Sequence, residues 1–407
     1  MSSRRSTTPA PAGQREGSPS GSTPQRTRAP WWLWAAALAI LVPVVVPVAG
    51  LLLRAFGASE AAWQTLTSWR TVELVVRTLG FTALVTVSAT VIGVAGAWVV
   101  SRTDVRLRRF WGVGLALPLI IPSYVVAMVL ISATGPRGLF ADLTAIPLPH
   151  LVGLPGAWLA LTLSTYPYVY LISTAALHRM DPTLEEAARG LGASPAKVLR
   201  TVVLPQLRPA IGAGALLAAL YTLSDFGAVS LMRFDAFTRV IYAQYSGRLD
   251  RTPAIVLSLV LIAIALVVIA AEHRTRGKGT YFSHRPVRPP RIIRLTGPVR
   301  GAAHAFLATV VTIGVGIPIA VLGAWLARGV ASGVDVAVPW GAVAGSLGGS
   351  SLAAAVAVVA SVPIVVLAVR YASRSTTWLE RSVYVAFSLP HITVAIAVVA
   401  FTVRYAR

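Results

Sequence analysis

Acids are scarce in this chain, 14 Asp and Glu among 407 residues, so their positions carry information. Glu185 and Glu186 lie in a charged stretch, Asp181 to Ile211, set between two long apolar runs. Asp181 followed by Pro182 reads as an N-cap with proline at the first helical position. The two glutamates then fall in the first turns, where the positive end of the helix dipole favours anions, and Gly190 and Gly192 close the run. Ser194 and Pro195 open a second helix at once. It carries Lys197 and Arg200 and is expected to end before Pro205, because proline disfavours helix in the residue preceding it. A third acid, Asp225, sits inside an apolar run, where a carboxylate is costly to place in hydrocarbon. Such a group either lines a wet path and attracts a cation, or caps backbone freed at a helix break near Gly227. His391, directly after Leu389-Pro390, reads as a packing or hydrogen-bonding group. Tyr124, Tyr166, Tyr168 and Tyr170 suit a path lining or anchoring at a membrane interface.

None of these groups adds up to catalytic machinery. Cysteine is absent, which excludes disulfides, thiolate metal sites and thiol nucleophiles. No HExxH, GxSxG or Walker A string occurs, and the phosphate-loop lookalike Arg276-Gly277-Lys278-Gly279-Thr280 lacks the upstream glycine and spacing that let backbone amides cradle phosphate. The chain reads as no enzyme, with no catalytic residue, metal site or cofactor expected. Energy for any work it does must come from another subunit.

The elements that position these residues belong in a membrane. Hydrophobic residues make up 56% of the chain, charged residues 12%, and the mean hydropathy is +0.71, a balance that leaves too little polar surface for water. Nine runs of about twenty residues, the length that crosses a hydrocarbon core, are expected as spans of an all-α polytopic protein. They are Trp31 to Leu53, Thr78 to Val100, Phe110 to Ser132, Leu154 to Leu177, Ile211 to Met232, Ala254 to Ala271, Ala305 to Ala327, Ser346 to Val369 and Val383 to Val403. With the N-terminus inside, most of the 36 Lys and Arg fall on the cytoplasmic side, including those of the 181–211 stretch. The net charge of +22 is thereby accounted for without nucleic acid, since no basic patch with interleaved stacking aromatics is present.

Residues 1–30, rich in Ser, Thr, Pro, Gly and Arg, read as a disordered cytoplasmic tail, and the first apolar run is too long for a signal peptide. An internal repeat divides the rest. Thr78-Leu79-Gly80 and Leu117-Pro118 in the second and third runs correspond to Ser346-Leu347-Gly348 and Leu389-Pro390 in the eighth and ninth, and the first run corresponds to the seventh. The expected organisation is a first half at 31–271, a basic linker at 272–304 and a second half at 305–407.

The string Glu186-Ala187-Ala188, then Gly192, then Val202, Leu204 and Pro205 resembles the EAA loop of ABC importer permeases, with Val202 where isoleucine is usual. Thr165 to Leu177 and Leu223 to Tyr245 look like the fused two-half permeases of the iron(III) branch. The resemblance implies the MetI-like fold and a bacterial inner-membrane location. It also implies a cytoplasmic ATPase dimer docked through Glu185, Glu186, Ala187, Ala188, Gly192, Leu204 and Pro205, an extracytoplasmic solute-binding protein, and transport of ferric iron. Permeases of that kind also carry thiamine, polyamines or phosphonates, and a secondary transporter is the rival from another class. The family's second half continues through three more spans and a second EAA loop. This chain is therefore expected to be C-terminally truncated and inactive alone.

Overall fold

A computed structural model of the protein describes residues 29–371, apart from 58, 137, 146–147, 248–249, 276–291 and 334–336, with scattered positions beyond 371. Its regular elements are helices, joined by two isolated β-bridges, Thr103 with Ile293 and Gly135 with Leu148. α1 (Trp31–Gly57) and α2 (Ser59–Thr67) lead into α3 (Trp69–Arg102), where the Ser68 hydroxyl accepts the Thr71 N–H at 3.3 Å and caps the N-terminus. At 1.5 Å per residue α3 is about 50 Å long, so its ends reach beyond a hydrocarbon core of about 30 Å.

The third apolar run is not one straight helix. α4 (Arg108–Ala116) and the 3-10 turn Leu117–Ile120 meet α5 (Ser123–Ala133) at a bend of 100°. Ile121 is extended at ψ 117° because Pro122 follows it, and Pro122, at ψ 140°, starts α5 in a new direction. The run from Phe110 to Ser132 is thus a broken span or a re-entrant pair.

α6 (Leu139–Thr144) and α7 (Gly153–Arg179) follow, then the short helices α8 (Thr183–Gly190) and α9 (Pro195–Val198). The helix expected to stop before Pro205 runs through it instead. A π-helical turn, Leu199–Val203, joins α9 to α10 (Leu204–Ser224), with the Leu204 N–H reaching the Leu199 carbonyl. Pro205 falls in the first turn after this widening, where its missing N–H and its ring are tolerated. The fifth span accordingly starts earlier than Ile211 and stops at Ser224 rather than Met232.

α11 (Gly227–Leu231), α12 (Phe237–Gly247) and α13 (Thr252–Thr275) complete this part, and α14 (Gly297–Val311), α15 (Ile317–Ala331) and α16 (Trp340–Arg370) follow the linker. Among the described residues five helical stretches are long and apolar enough to cross a membrane, in α3, α10 with its π turn, α13, α14–α15 and α16, and the bent α4–α5 pair would be a sixth. α1 and α7 cover the first and fourth expected runs with 27 residues each. The ninth run, with Leu389-Pro390 and His391, lies largely outside the described residues, as do the tail and residues 276–291 of the linker.

α7 is the centre of the core. Its Val169 is clamped from two sides by glycines: a Cβ on Gly93 of α3 would stand 2.7 Å from the Val169 Cβ, and one on Gly214 of α10 would stand 2.7 Å from the Val169 Cα. Small residues at such crossings let backbones meet, which is how helices associate where lipid is as apolar as any side chain. Phe81, Leu115, Leu161, Tyr166 and Leu207 fill the remaining space, and Leu307 and Val310 of α14 join the same cluster. α13 seats Leu257 and Leu261 against Phe237, Ile241 and Leu220.

Candidate docking site

The charged stretch folds as two capped helices. The Glu186 N–H reaches the Pro182 carbonyl at 2.9 Å, which makes Pro182 the N-cap of α8, one residue later than expected, and an Asp181 carboxylate oxygen accepts the Thr183 N–H at 3.0 Å from just ahead of it. At the other end Gly192 adopts φ +82°. The Ala193 N–H bonds to the Ala188 carbonyl at 3.1 Å and the Gly192 N–H to the Arg189 carbonyl at 2.9 Å, the paired bonds of a Schellman motif, which needs a left-handed residue where Gly192 stands. Ser194 starts α9, its hydroxyl accepting the Lys197 N–H at 3.4 Å and its carbonyl the Val198 N–H at 2.9 Å. The bracket is therefore a rigid turn that continues through the π turn into α10.

Its two faces differ. Leu184, Ala187 and Leu191, spaced three and four apart on one side of α8, are exposed, Leu191 to 89%, with Glu186 exposed beside them. Exposed leucines on an otherwise charged loop form a face suited to covering by a partner. The opposite side carries Pro182 and Glu185, both buried, and Ala188, packed against the core.

Glu185 departs from the docking role expected of it. Its side chain points into the protein, where one oxygen lies 3.0 Å from Arg102 Nη2 and the other 3.8 Å from Arg189 Nη2. Arg102, the last residue of α3, is 1% exposed and also donates to the Leu177 carbonyl near the end of α7 at 3.3 Å. Desolvation forces this orientation, because a guanidinium enclosed by helix ends must find a carboxylate. Leu204 and Pro205 are half-buried at the start of α10 and continue the helix rather than face outward. Of the residues expected to dock, Glu186, Ala187 and Gly192 lie on the exposed side. Arg102 escaped sequence reasoning, where it was one arginine among many, and the signal for it was its place directly behind an apolar run.

Asp225 closes the α10–α11 break. It is extended at ψ 129°, and one carboxylate oxygen accepts the N–H groups of Ala228 and Val229 at 2.9 and 3.3 Å, capping α11. The other oxygen accepts the Ser123 hydroxyl at the start of α5, and the Asp225 carbonyl accepts the Thr238 hydroxyl at 2.6 Å. Between the two uses expected of this carboxylate, the geometry matches the cap, and Ser123 and Thr238 are the partners that sequence reasoning missed.

Residues 89–272 match the family model described as "binding-protein-dependent transport system inner membrane component". The chain is 32% identical over 386 residues to the Fe(3+)-transport system permease protein FbpB 2 of Haemophilus influenzae, covering 93% of this chain and 73% of that one. It is 29% identical over 255 residues to the molybdenum transport system permease protein ModB of Mycobacterium tuberculosis, covering 61% of this chain and 96% of that one. Among solved structures, a bacterial ABC transporter involved in import of the acidic polysaccharide alginate superposes with a TM-score of 0.49 at 16% identity, over 61% of this chain and 96% of that one. With the capped bracket, the helical membrane architecture and a relative matched along most of both chains, this protein belongs to the family of binding-protein-dependent transport system inner membrane components, the multi-pass permeases of ABC importers, which are not enzymes.

Proposed function

We propose that this chain forms the translocation path of a ferric-iron importer and takes its energy from a cytoplasmic ATPase dimer docked on the bracket. The observation that carries the docking is the exposed face of Leu184, Ala187 and Leu191 with Glu186 at its edge, on a helix locked at both ends. ATP-driven closure of the ATPase displaces α8, and the continuous path from α9 through the π turn carries that displacement into α10. The helices then alternate between inward-open and outward-open arrangements, and a binding protein on the outer side delivers the substrate. In this reading the N-terminus, the bracket and the linker are cytoplasmic, and residues 31–271 and 305–407 belong to two homologous halves.

Iron is supported by the extent of the similarity to the Haemophilus influenzae permease. A second reading, an oxyanion such as molybdate, is supported by the similarity to the mycobacterial permease along nearly all of that protein. The two separate in one experiment: proteoliposomes carrying this chain with its ATPase and binding protein are supplied with radiolabelled ferric iron or with molybdate. ATP-dependent accumulation of iron alone is expected. Accumulation of molybdate alone would replace the iron reading.

A further inference from the structure

The tripeptide Arg102-Thr103-Asp104 lies where three structures meet. The Arg102 side chain holds Glu185 of α8 at 3.0 Å and the Leu177 carbonyl of α7 at 3.3 Å. The backbone of the same residues holds the linker: the Ile293 N–H donates to the Arg102 carbonyl at 2.8 Å, and the Asp104 N–H donates to the Ile293 carbonyl at 3.1 Å. An Asp104 carboxylate oxygen accepts the Leu295 N–H at 2.7 Å, and Arg300, in the first turn of α14, stands 3.7 Å from the other. Arg108 fixes the tripeptide from behind, donating to the Val100 and Ser101 carbonyls at 3.0 and 3.2 Å.

We propose that Arg102 is a positioning residue for energy coupling, through which the bracket moves α3 and, by way of the Asp104–linker strap, α14. The inference rests on the docking reading above and adds to it a second route besides the one into α10. Two observations support a coupling role over simple stabilisation. First, the pair is buried, and an ion pair in such a place contributes little net stability compared with apolar side chains of similar size. Second, Arg102 Nε and Nη1 are buried and find no acceptor among the described residues, an arrangement poor for stability alone. What the pair supplies is a fixed geometry between α8 and the α3 end, and the strap extends that geometry to α14.

The test compares the assembled transporter carrying wild-type chain, Arg102→Lys, Arg102→Met, and the double variant Arg102→Met/Glu185→Leu, which leaves no buried charge unpaired should the single variant fail to fold. In the double variant the ATPase subunit is expected to co-purify at the wild-type level while substrate transported per ATP hydrolysed falls at least tenfold. Arg102→Lys, which keeps the charge, recovers part of this. A double variant with transport per ATP within twofold of wild type overturns the proposal. A second measurement needs no ATPase: the chain has no native cysteine, so spin labels at Leu191→Cys and at Ala302→Cys, an exposed α14 position that leaves the Arg300–Asp104 contact intact, report directly on the strap. The bracket-to-α14 distance distribution is expected to broaden in the double variant, and a distribution superimposable on wild type counts equally against the proposal. Failure of the docking reading shows separately, as undiminished ATPase capture when Glu186 and Leu191 on the exposed face are replaced.

Discussion

The bracket at 181–203 and the break at Asp225 are built from the same parts, acids at a helix start and a glycine close by, yet they use their acids differently. At the break the acid is turned inward: Asp225 caps α11, takes the Ser123 hydroxyl and ties α5, α10 and α11 together. At the bracket the work is divided between neighbours. Glu185 faces in and pairs with Arg102, whereas Glu186, one residue later and 100° around the helix, faces out beside Leu184 and Leu191. An acid in a membrane protein is therefore read by what its carboxylate touches, and only Glu186 of these three is placed to meet a partner.

Substitutions test that division, and the largest effect is expected at Glu185. Glu185→Ala strips the carboxylate from a buried guanidinium and should cost about 3–5 kcal/mol, seen as a large drop in the detergent melting temperature. A loss under about 1 kcal/mol would mean that Arg102 finds another acceptor. Next comes Asp225→Ala, which leaves the Ser123 hydroxyl and two N–H groups without their acceptor and should cost about 1–3 kcal/mol. Asp225→Asn keeps one acceptor oxygen and should lose less while transport continues. Abolished uptake at unchanged melting temperature in that variant would restore Asp225 to the path. Gly192→Ala is smaller still. A Cβ there meets no atom within 4 Å, so the cost is confined to the left-handed backbone at φ +82°, about 1 kcal/mol, and should appear as reduced protection of the Ala193 amide in hydrogen exchange. Glu186→Lys, on the exposed side, should leave the melting temperature unchanged and act on the partner alone.

What was legible in the sequence follows the range of the interactions. The helix ends at Ser194 and Gly192 are local chemistry, set by residues within a few positions of one another, and they form as expected, while the start at Asp181 is displaced by one residue, to Pro182. Pro122 was visible, but the direction of the chain after it depends on what α5 packs against, so a bend of 100° replaced a straight span. Pro205 was read as a stop because an α-helix cannot carry it there, and the π turn that admits it leaves no mark in the residue pattern. The inward turn of Glu185 depends on Arg102 at the end of another helix, and the partner of Asp225 is 102 positions away. Neither distance has a periodicity to betray it.

The same division separates α7 from α16. Both are long apolar helices, but α7 buries residues along its whole length, from Gly156 to Leu177, and α16 buries Leu367 alone among its described side chains. Glycines explain the contrast at the crossings of α7, where Gly93 and Gly214 meet its backbone, whereas Gly345, Gly348 and Gly349 of α16 have nothing within 4 Å of an added Cβ.

The central claim is that the outer face of α8 receives the ATPase. Its most direct measurement is capture of the purified ATPase subunit on immobilised transporter, comparing wild type with Glu186→Lys and Leu191→Asp at equal melting temperature. Wild type is expected to hold the ATPase through washing, and each variant to retain at least tenfold less and to lose ATP-driven uptake in proportion. Equal capture and equal uptake by both variants would contradict the account, because a docked ATPase would then have to contact the chain somewhere other than this face.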